Sequence, residues 1–239
     1  SLGLLFLHEL AHLFAGKASG VNGYFSFGMR LYFPVAETNL TQLWTLSRKK
    51  RYIPFLAGMI NDAMLLSFLV IILWFNIQSN LINSQIIIRF FKMITFLLYY
   101  TITWQFLLFI KTDLYFVISN ILGCQNLYHD SWKYIQNKLQ SVFKREKKEL
   151  NIPKKELKIV KIYAPLMFIA TIFALGFFVF LGLPILSALL IEGLTLTISG
   201  FESNLALFTE GLTLTLVMSV QIIAFAYFVI KNIKKIKRK

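Results

Sequence analysis

The residues His8-Glu9-Leu10-Ala11-His12 have the types and the spacing that metal-dependent hydrolysis requires. In a helix, residues i and i+4 lie on the same face, so the two imidazoles can bind one Zn²⁺ at about 2.0–2.1 Å each. Glu9 would then lie beside a water molecule on the metal and accept its proton as that water attacks a peptide carbonyl. The pattern therefore predicts a zinc site with His8 and His12 as ligands and Glu9 as the general base.

The setting of this motif argues against a chance match. The chain has three histidines, and two of them lie in the motif. Most other residues of segment 1–16 are apolar. Ionisable side chains in an apolar membrane helix are costly and usually functional. We therefore expect a working metal site rather than an accidental pattern.

The composition places the motif in a membrane protein. Of the 239 residues, 57% are hydrophobic and only 15% are charged, whereas a soluble domain is nearer half apolar and carries more charge. The apolar residues form runs of about twenty, which match the thickness of a bilayer. We expect spans near residues 54–75, 86–110, 162–186 and 207–230, with 191–203 as a polar loop. The first segment, 1–16, would be roughly 24 Å long, short of a full crossing. This shortness, and the absence of an initial Met, lead us to expect further residues before Ser1.

The net charge of +14 is arranged in blocks beside these runs, so we reject nucleic acid as a partner. Basic blocks beside spans are typical of cytoplasmic loops. The blocks are 48–51, 133–161 and the C-terminal tail, and the intervening loops 76–85 and 192–208 contain no Lys or Arg. We therefore expect a multi-pass protein of the cell membrane whose basic loops and C-terminus face the cytoplasm.

A catalytic zinc site usually has a third protein ligand and one open position. The candidates in this chain are Asp62, Asp113 and His129. The charge pattern places the motif toward the cytoplasmic end of its helix and Asp113 at a similar depth. Depth alone leaves two readings of Asp113, a third ligand or an interfacial carboxylate paired with Lys111. For the single cysteine, Cys124, we expect packing, with a fourth, soft ligand as the alternative.

Two further features lie near the motif in the sequence. Asn61, in an apolar span, can hold a substrate carbonyl or stabilise an oxyanion, or it can make a hydrogen bond between helices. Residues 24–33 alternate between the two faces of an extended chain, which predicts a strand or a hairpin. That strand can add a substrate peptide at its edge, or it can be a purely structural cover of the site.

The chain resembles the site-2 protease family of intramembrane zinc metalloproteases. In that family a membrane helix with H-E-x-x-H is followed by a β-hairpin, a span that begins A-G-P-x-x-N, and a later aspartate in a motif like L-D-G. This chain shows His8–His12, the alternating segment 24–33, Ala57-Gly58-Met59-Ile60-Asn61 and Thr112-Asp113-Leu114-Tyr115, in that order. The agreement covers about residues 1–130, and segment 111–127 is similar to the peptide zinc metalloprotease branch of bacteria.

The chain also departs from the family pattern. Met59 stands where proline is usual, and Thr112 and Leu114 flank the aspartate in place of Leu and Gly. The Asn-Pro pair expected about six residues before the aspartate is replaced by Leu107-Leu108. The resemblance nevertheless implies Asp113 as the third zinc ligand, and Asn61 stands where the family pattern has its asparagine, with both interpretations of this residue still open.

Motif, composition and resemblance together predict an all-α multi-pass membrane protein with about five transmembrane helices and a small membrane-associated β-hairpin after the first. Residues 1–127 would form the zinc metalloprotease core, 128–161 a basic cytoplasmic region, and 162–239 two further transmembrane helices with a basic tail. The expected function is intramembrane hydrolysis of a peptide or membrane-segment substrate near the cytoplasmic face, in the processing of modified, bacteriocin-like peptides. The alternative is a non-catalytic membrane component for peptide export or self-immunity.

Overall fold

The computed structural model describes residues 2–31, 33–80, 82–142 and 152–237. Within these residues the chain is mostly helical, with one two-stranded sheet. The α-helices are α1 (Leu2–Ala18), α2 (Tyr52–Ser79), α3 (Gln85–Trp104), α4 (Asp113–Leu122), α5 (Leu127–Val142), α6 (Lys154–Phe177), α7 (Leu183–Ser203) and α8 (Leu205–Lys237). The strands are β1 (Tyr24–Arg30) and β2 (Phe33–Asn39). The predicted helical architecture with a hairpin after the first helix is confirmed.

Four helical stretches in the described residues are long and apolar enough to cross a membrane. They are Arg48–Ser79, Gln85–Trp104, Lys154–Phe201 and Leu205–Tyr227. Their outer faces carry exposed large apolar side chains, including Phe68, Trp74, Phe96, Phe173 and Ile223. Such faces are stable beside lipid rather than water. Helix α1 has 17 residues, about 26 Å at 1.5 Å per residue, and is shorter than these four.

The helix expected over residues 86–110 is shorter than predicted, and the apolar pattern that continues to Leu122 forms a separate helix. Helix α3 ends at Trp104, and α4 begins at Asp113. Lys111, between them, has φ 58°, a left-handed conformation that interrupts a right-handed helix. The Thr112 hydroxyl donates to the carbonyl of Gln105 at 2.7 Å, which ties the connection together. Asp113 is therefore the first residue of a new helix.

A second difference concerns residues 191–203, expected to be a polar loop. They belong to α7, which packs along α8. Glycines make this close approach possible, because a Cβ at Gly200 would overlap the backbone of Phe208 and one at Gly211 would overlap the backbone of Thr197. The helix ends where Asn204 becomes extended, and α8 begins at the next residue.

The chain divides into two compact units. The first, Ser1–Ser26 with Ala36–Phe168, contains helices α1, α2, α4 and α5. The second is Phe27–Val35 with Ile169–Lys239. In the first unit, one core cluster joins α4, α5 and the start of α6 and contains Tyr115, Cys124, Leu127, Ile135, Val160, Ala164 and Met167. A second cluster joins the end of α1 to α2 and α4 and contains Val21, Leu43, Phe55 and Val117. These clusters hold the three helices that carry the candidate site.

The basic region predicted at 128–161 corresponds to α5 and the first turns of α6, and its residues 143–151 lie outside the described residues. The basic block near 48–51 makes two kinds of contact. Arg48 donates to the carbonyls of Asn120 and Ile121 at the end of α4, and Arg51 donates to the carbonyls of Trp44 and Leu46. Part of this block therefore fastens α4 to the chain before α2.

Candidate metal centre

Helix α1 places the three motif side chains in the interior of the first unit. Its turn of 3.6 residues sets His8 and His12 on one face. Both imidazoles are buried, as is the side chain of Glu9 between them in sequence. The rings of His8 and His12 approach edge to face, with centroids 5.0 Å apart.

Asp113, 101 residues beyond His12, completes a compact group with the two histidines. Its Oδ2 lies 2.9 Å from Nε2 of His8 and 3.0 Å from Nε2 of His12, and the two Nε2 atoms are 3.3 Å apart. Among the described residues, this is the one group of three or more His, Cys, Asp or Glu side chains whose ligand atoms all lie within 4.8 Å of one another. The group can hold a metal ion.

The far side of each imidazole is held by a hydrogen-bond acceptor on α2. Nδ1 of His8 lies 2.8 Å from Oδ2 of Asp62, and Nδ1 of His12 lies 2.7 Å from the carbonyl oxygen of Pro54. A carboxylate and a carbonyl can only accept, so both Nδ1 atoms carry the proton and donate it. In the neutral rings, each Nε2 therefore presents a lone pair toward Asp113.

The two Nε2 atoms and Oδ2 of Asp113 are arranged better for binding a cation than for hydrogen bonds among themselves. With both Nδ1 atoms protonated, neutral rings would set two nitrogen lone pairs against a carboxylate oxygen. Charged rings would instead set two N–H groups against each other across 3.3 Å. Around a tetrahedral ion with ligands at about 2.0–2.1 Å, neighbouring donor atoms lie about 3.3 Å apart. The observed separations of 2.9, 3.0 and 3.3 Å are close to this value.

Gly58 lets α2 approach the two imidazoles. A Cβ built on this residue would overlap Nε2 of both His8 and His12. Pro54, Gly58 and Asp62 recur every four residues and so share the face of α2 that meets α1. The four-residue spacing of Gly58 and Asp62 is the sequence signal that would have placed both residues on this face.

The position of Asp113 depends on the connection before α4. Its backbone N–H donates to Oε1 of Gln105 at 3.0 Å, and the carbonyl of Gln105 accepts from the Thr112 hydroxyl. The side chain of Gln105 thus satisfies a backbone donor at the start of α4 that has no partner within the helix. No signal in the sequence identified Gln105.

Glu9 is held by strand β2. Its Oε2 accepts the backbone N–H of Thr38 at 2.6 Å, and its own carbonyl accepts the Thr38 hydroxyl at 2.9 Å. Glu9 is not among the three clustered ligand residues. Glu9 follows His8 directly in the helix, as the glutamate of the H-E-x-x-H pattern does, and it lies outside the ligand set.

The remaining candidates lie elsewhere. Asp62 is on the Nδ1 side of His8, opposite to Asp113, so it does not share the cluster's centre. His129 is exposed on α5. Cys124 is buried in the core around α4, and burial raises the pKa of its thiol to about 11, which keeps it protonated at neutral pH. Asn61 is on α2 next to Asp62, and its Nδ2 is buried with no hydrogen-bond partner in the part of the chain that the structure describes.

Neither a protein-family model, nor a curated protein, nor a solved structure matches this chain.

Proposed function

We propose that this chain is a membrane-embedded zinc metalloendopeptidase that hydrolyses a peptide or membrane-segment substrate. The observation that carries the proposal is the convergence of His8, His12 and Asp113, whose facing atoms lie within 3.3 Å of one another, with Glu9 buried on the same helix as the two histidines. Two imidazoles and one carboxylate with a fourth position open are the donor set of a catalytic zinc ion. They suit zinc better than Mg²⁺ or Ca²⁺, which prefer oxygen ligands.

In this proposal His8 and His12 bind through Nε2 and Asp113 binds through a carboxylate oxygen. Zinc, when bound, lowers the pKa of a water molecule toward 7 and polarises the carbonyl of the scissile peptide. The acceptors on α2 keep both Nδ1 atoms protonated, so each Nε2 is free to bind the ion. Burial of the two imidazoles limits competing water.

Glu9 moves the proton. Its carboxylate accepts a proton from the attacking water as the water oxygen bonds to the carbonyl carbon. It then delivers that proton to the amine nitrogen as the C–N bond breaks, which leaves a carboxylic acid and an amine. Oε2 of Glu9 is held by the Thr38 N–H, so Oε1 is the oxygen we assign to this transfer.

The proposed setting is a membrane, with α1 as a fifth, short span in addition to the four longer stretches. Lys17, in the last turn of α1, and the basic block before α2 would face the cytoplasm together. This places hydrolysis near the cytoplasmic side of the bilayer. For the Nδ2 of Asn61, buried and without a partner in the described residues, we propose contact with a substrate carbonyl. The resemblance to peptide zinc metalloproteases suggests a modified, bacteriocin-like peptide as the substrate class.

The substitution Glu9→Gln tests the proposal, because it keeps the size and polarity of the side chain and removes its basic carboxylate. Parent and variant, purified in detergent with Zn²⁺, would be incubated with a peptide library derived from a bacterial proteome. New peptide termini would be counted by mass spectrometry, and zinc would be measured by elemental analysis. General acid–base catalysis contributes about 10²–10⁴-fold, so we expect hydrolysis to fall by at least about 100-fold while zinc content is unchanged.

Glu192→Gln is the matched control, since Glu192 is an exposed acid on α7. The Glu192→Gln variant should cleave peptides as the parent does. Equal cleavage by parent and Glu9→Gln would refute the peptidase. A parent that binds zinc without cleaving any peptide would favour the non-catalytic component for peptide export or self-immunity.

A further inference from the structure

Asp62 is a buried carboxylate that the proposed reaction does not use. It lies on α2, one turn after Gly58, and is 2% exposed. Its Oδ2 accepts from Nδ1 of His8 at 2.8 Å. The hydroxyl of Thr101 lies 3.5 Å from the same oxygen and makes a shorter bond, 2.9 Å, to the carbonyl of Leu98.

This carboxylate costs stability where it stands. Removing a carboxylate from water is unfavourable unless an opposite charge or several donors compensate. Neither Lys nor Arg is paired with Asp62 in the described chain, and its Oδ1 has no partner there. Its shortest hydrogen bond among the described residues is with His8.

His8 and His12 donate from Nδ1 to different kinds of acceptor. His12 donates to a backbone carbonyl, that of Pro54, which is neutral. His8 donates to a charged side chain. An ionised acceptor makes a stronger hydrogen bond and increases the electron density on the opposite nitrogen of the ring. Nε2 of His8, the atom that faces Asp113, therefore lies on an imidazole with a stronger donor character than that of His12.

We propose that Asp62 is the positioning residue of the metal centre. It acts through His8, whose tautomer and ring orientation it holds and whose strength as a ligand it increases. This inference rests on the proposed metal site. Acceptors behind metal-bound histidines typically contribute 10- to 100-fold in metal affinity. We assign to Asp62 an effect of that size on Zn²⁺ binding, without contact between Asp62 and the ion.

Two substitutions separate orientation from charge. Asp62→Asn keeps an oxygen that can accept from Nδ1 of His8 but removes the negative charge. Asp62→Ala removes both. We expect Zn²⁺ affinity, measured by chelator competition, to fall about 10- to 100-fold in Asp62→Ala and less in Asp62→Asn. With Co²⁺ in place of Zn²⁺, the visible absorption bands should shift in both variants, because the donor strength of His8 changes.

Asn76→Ala is the control for a merely structural role. Asn76 is also buried on α2, and its Oδ1 accepts the backbone N–H of Ile82 near the other end of the helix. This variant should lower the melting temperature and leave both Zn²⁺ affinity and the Co²⁺ spectrum as in the parent. If Asp62→Ala does not fold, Asp62→Asn carries the test.

The results separate this inference from the proposed function. Parental Zn²⁺ affinity and an unshifted Co²⁺ spectrum in a folded Asp62→Asn or Asp62→Ala variant would overturn the role of Asp62 and leave the peptidase intact. A parent that binds no Zn²⁺ would overturn both. Weaker binding in the Asp62 variants, with an unaffected Asn76→Ala, supports the assignment.

Discussion

The backbone N–H of Thr38 donates to Oε2 of Glu9 over 2.6 Å, which joins strand β2 to the helix that carries the candidate metal site. The bond reaches from strand β2 to helix α1 across 29 residues. A second bond, from the Thr38 hydroxyl to the Glu9 carbonyl, fixes the same contact. Thr38, in the part of strand β2 that belongs to the first unit, therefore suggests a role beyond the two predicted from the sequence: it orients the carboxylate proposed as the general base.

Thr38→Pro should test this orientation, because proline lacks the N–H that binds Glu9. Hydrogen bonds to charged groups contribute about 1.5–3 kcal/mol, so we expect turnover to fall about 10- to 100-fold with unchanged zinc content. Thr38→Ala retains the N–H and loses only the hydroxyl, and it should retain most of the turnover. Equal loss in the two variants would assign the effect to the hydroxyl contact instead.

Gly58→Ala should disrupt the metal centre without changing any ligand. The added Cβ would overlap Nε2 of His8 and His12, so α2 must move away or the rings must turn. We expect Zn²⁺ affinity to fall at least about tenfold, judged by the sensitivity of metal sites to ligand orientation. Gly3→Ala, in α1 with open space around it, is the control and should bind zinc as the parent does. An unaffected Gly58→Ala would contradict the close approach of the helices.

Metal analysis of the purified protein should find one Zn²⁺ per chain. His12→Ala and Asp113→Ala each remove one of three ligands, and either should abolish stoichiometric zinc. His129→Ala removes the remaining histidine, which is exposed on α5, and should retain it. Full occupancy in His12→Ala, or loss of zinc in His129→Ala, would show that the ion lies elsewhere.

Cysteine accessibility should establish the orientation in the membrane. In a Cys124→Ser background, a cysteine at Lys138 on α5 should react only with reagents that reach the cytoplasm. One at Ser84, in the lysine-free connection before α3, should react from outside; both side chains are exposed. The physical reason is the positive-inside rule. The reverse labelling pattern would invert the proposed side of hydrolysis.

The native Cys124 should label slowly at neutral pH. Burial raises the pKa of its thiol to about 11, and the thiolate is the nucleophile. Below that pKa the thiolate fraction rises about tenfold per pH unit, so the maleimide rate of the folded protein should still be rising between pH 9 and pH 10. A free cysteine in a peptide, with a pKa near 8.5, would level off there. A plateau near pH 8.5 in the folded protein would show an exposed thiol.

Local patterns were sufficient for part of this molecule. His8 and His12 are one helical turn apart, so their common face follows from the geometry of a single helix. The helical architecture and the extended segment 24–33 followed from hydrophobic runs and from alternation, whereas the second strand, Phe33–Asn39, lies almost wholly beyond that segment. The positions of helix ends were harder to predict from the sequence. Residues 191–203, expected to be a loop, are helical, and glycines allow α7 and α8 to pack closely there. The number of spans and their orientation stay predictions.

Local sequence patterns could not predict contacts between segments that are far apart in the sequence. In the sequence, Asp62 and Asp113 were both plausible ligands for the same ion. The packing of α1, α2 and α4 separates them, with Asp62 on Nδ1 of His8 and Asp113 facing Nε2. The same packing brings Thr38 to Glu9 and Gln105 to the N–H of Asp113. Spacing along one helix fixes the direction of a side chain. The contacts of His8 with Asp62, 54 positions later, and with Asp113, 105 positions later, depend on how three helices pack. Five consecutive residues were therefore enough to predict the two imidazoles and Glu9, while the different positions of Asp62 and Asp113 around His8 required the folded chain.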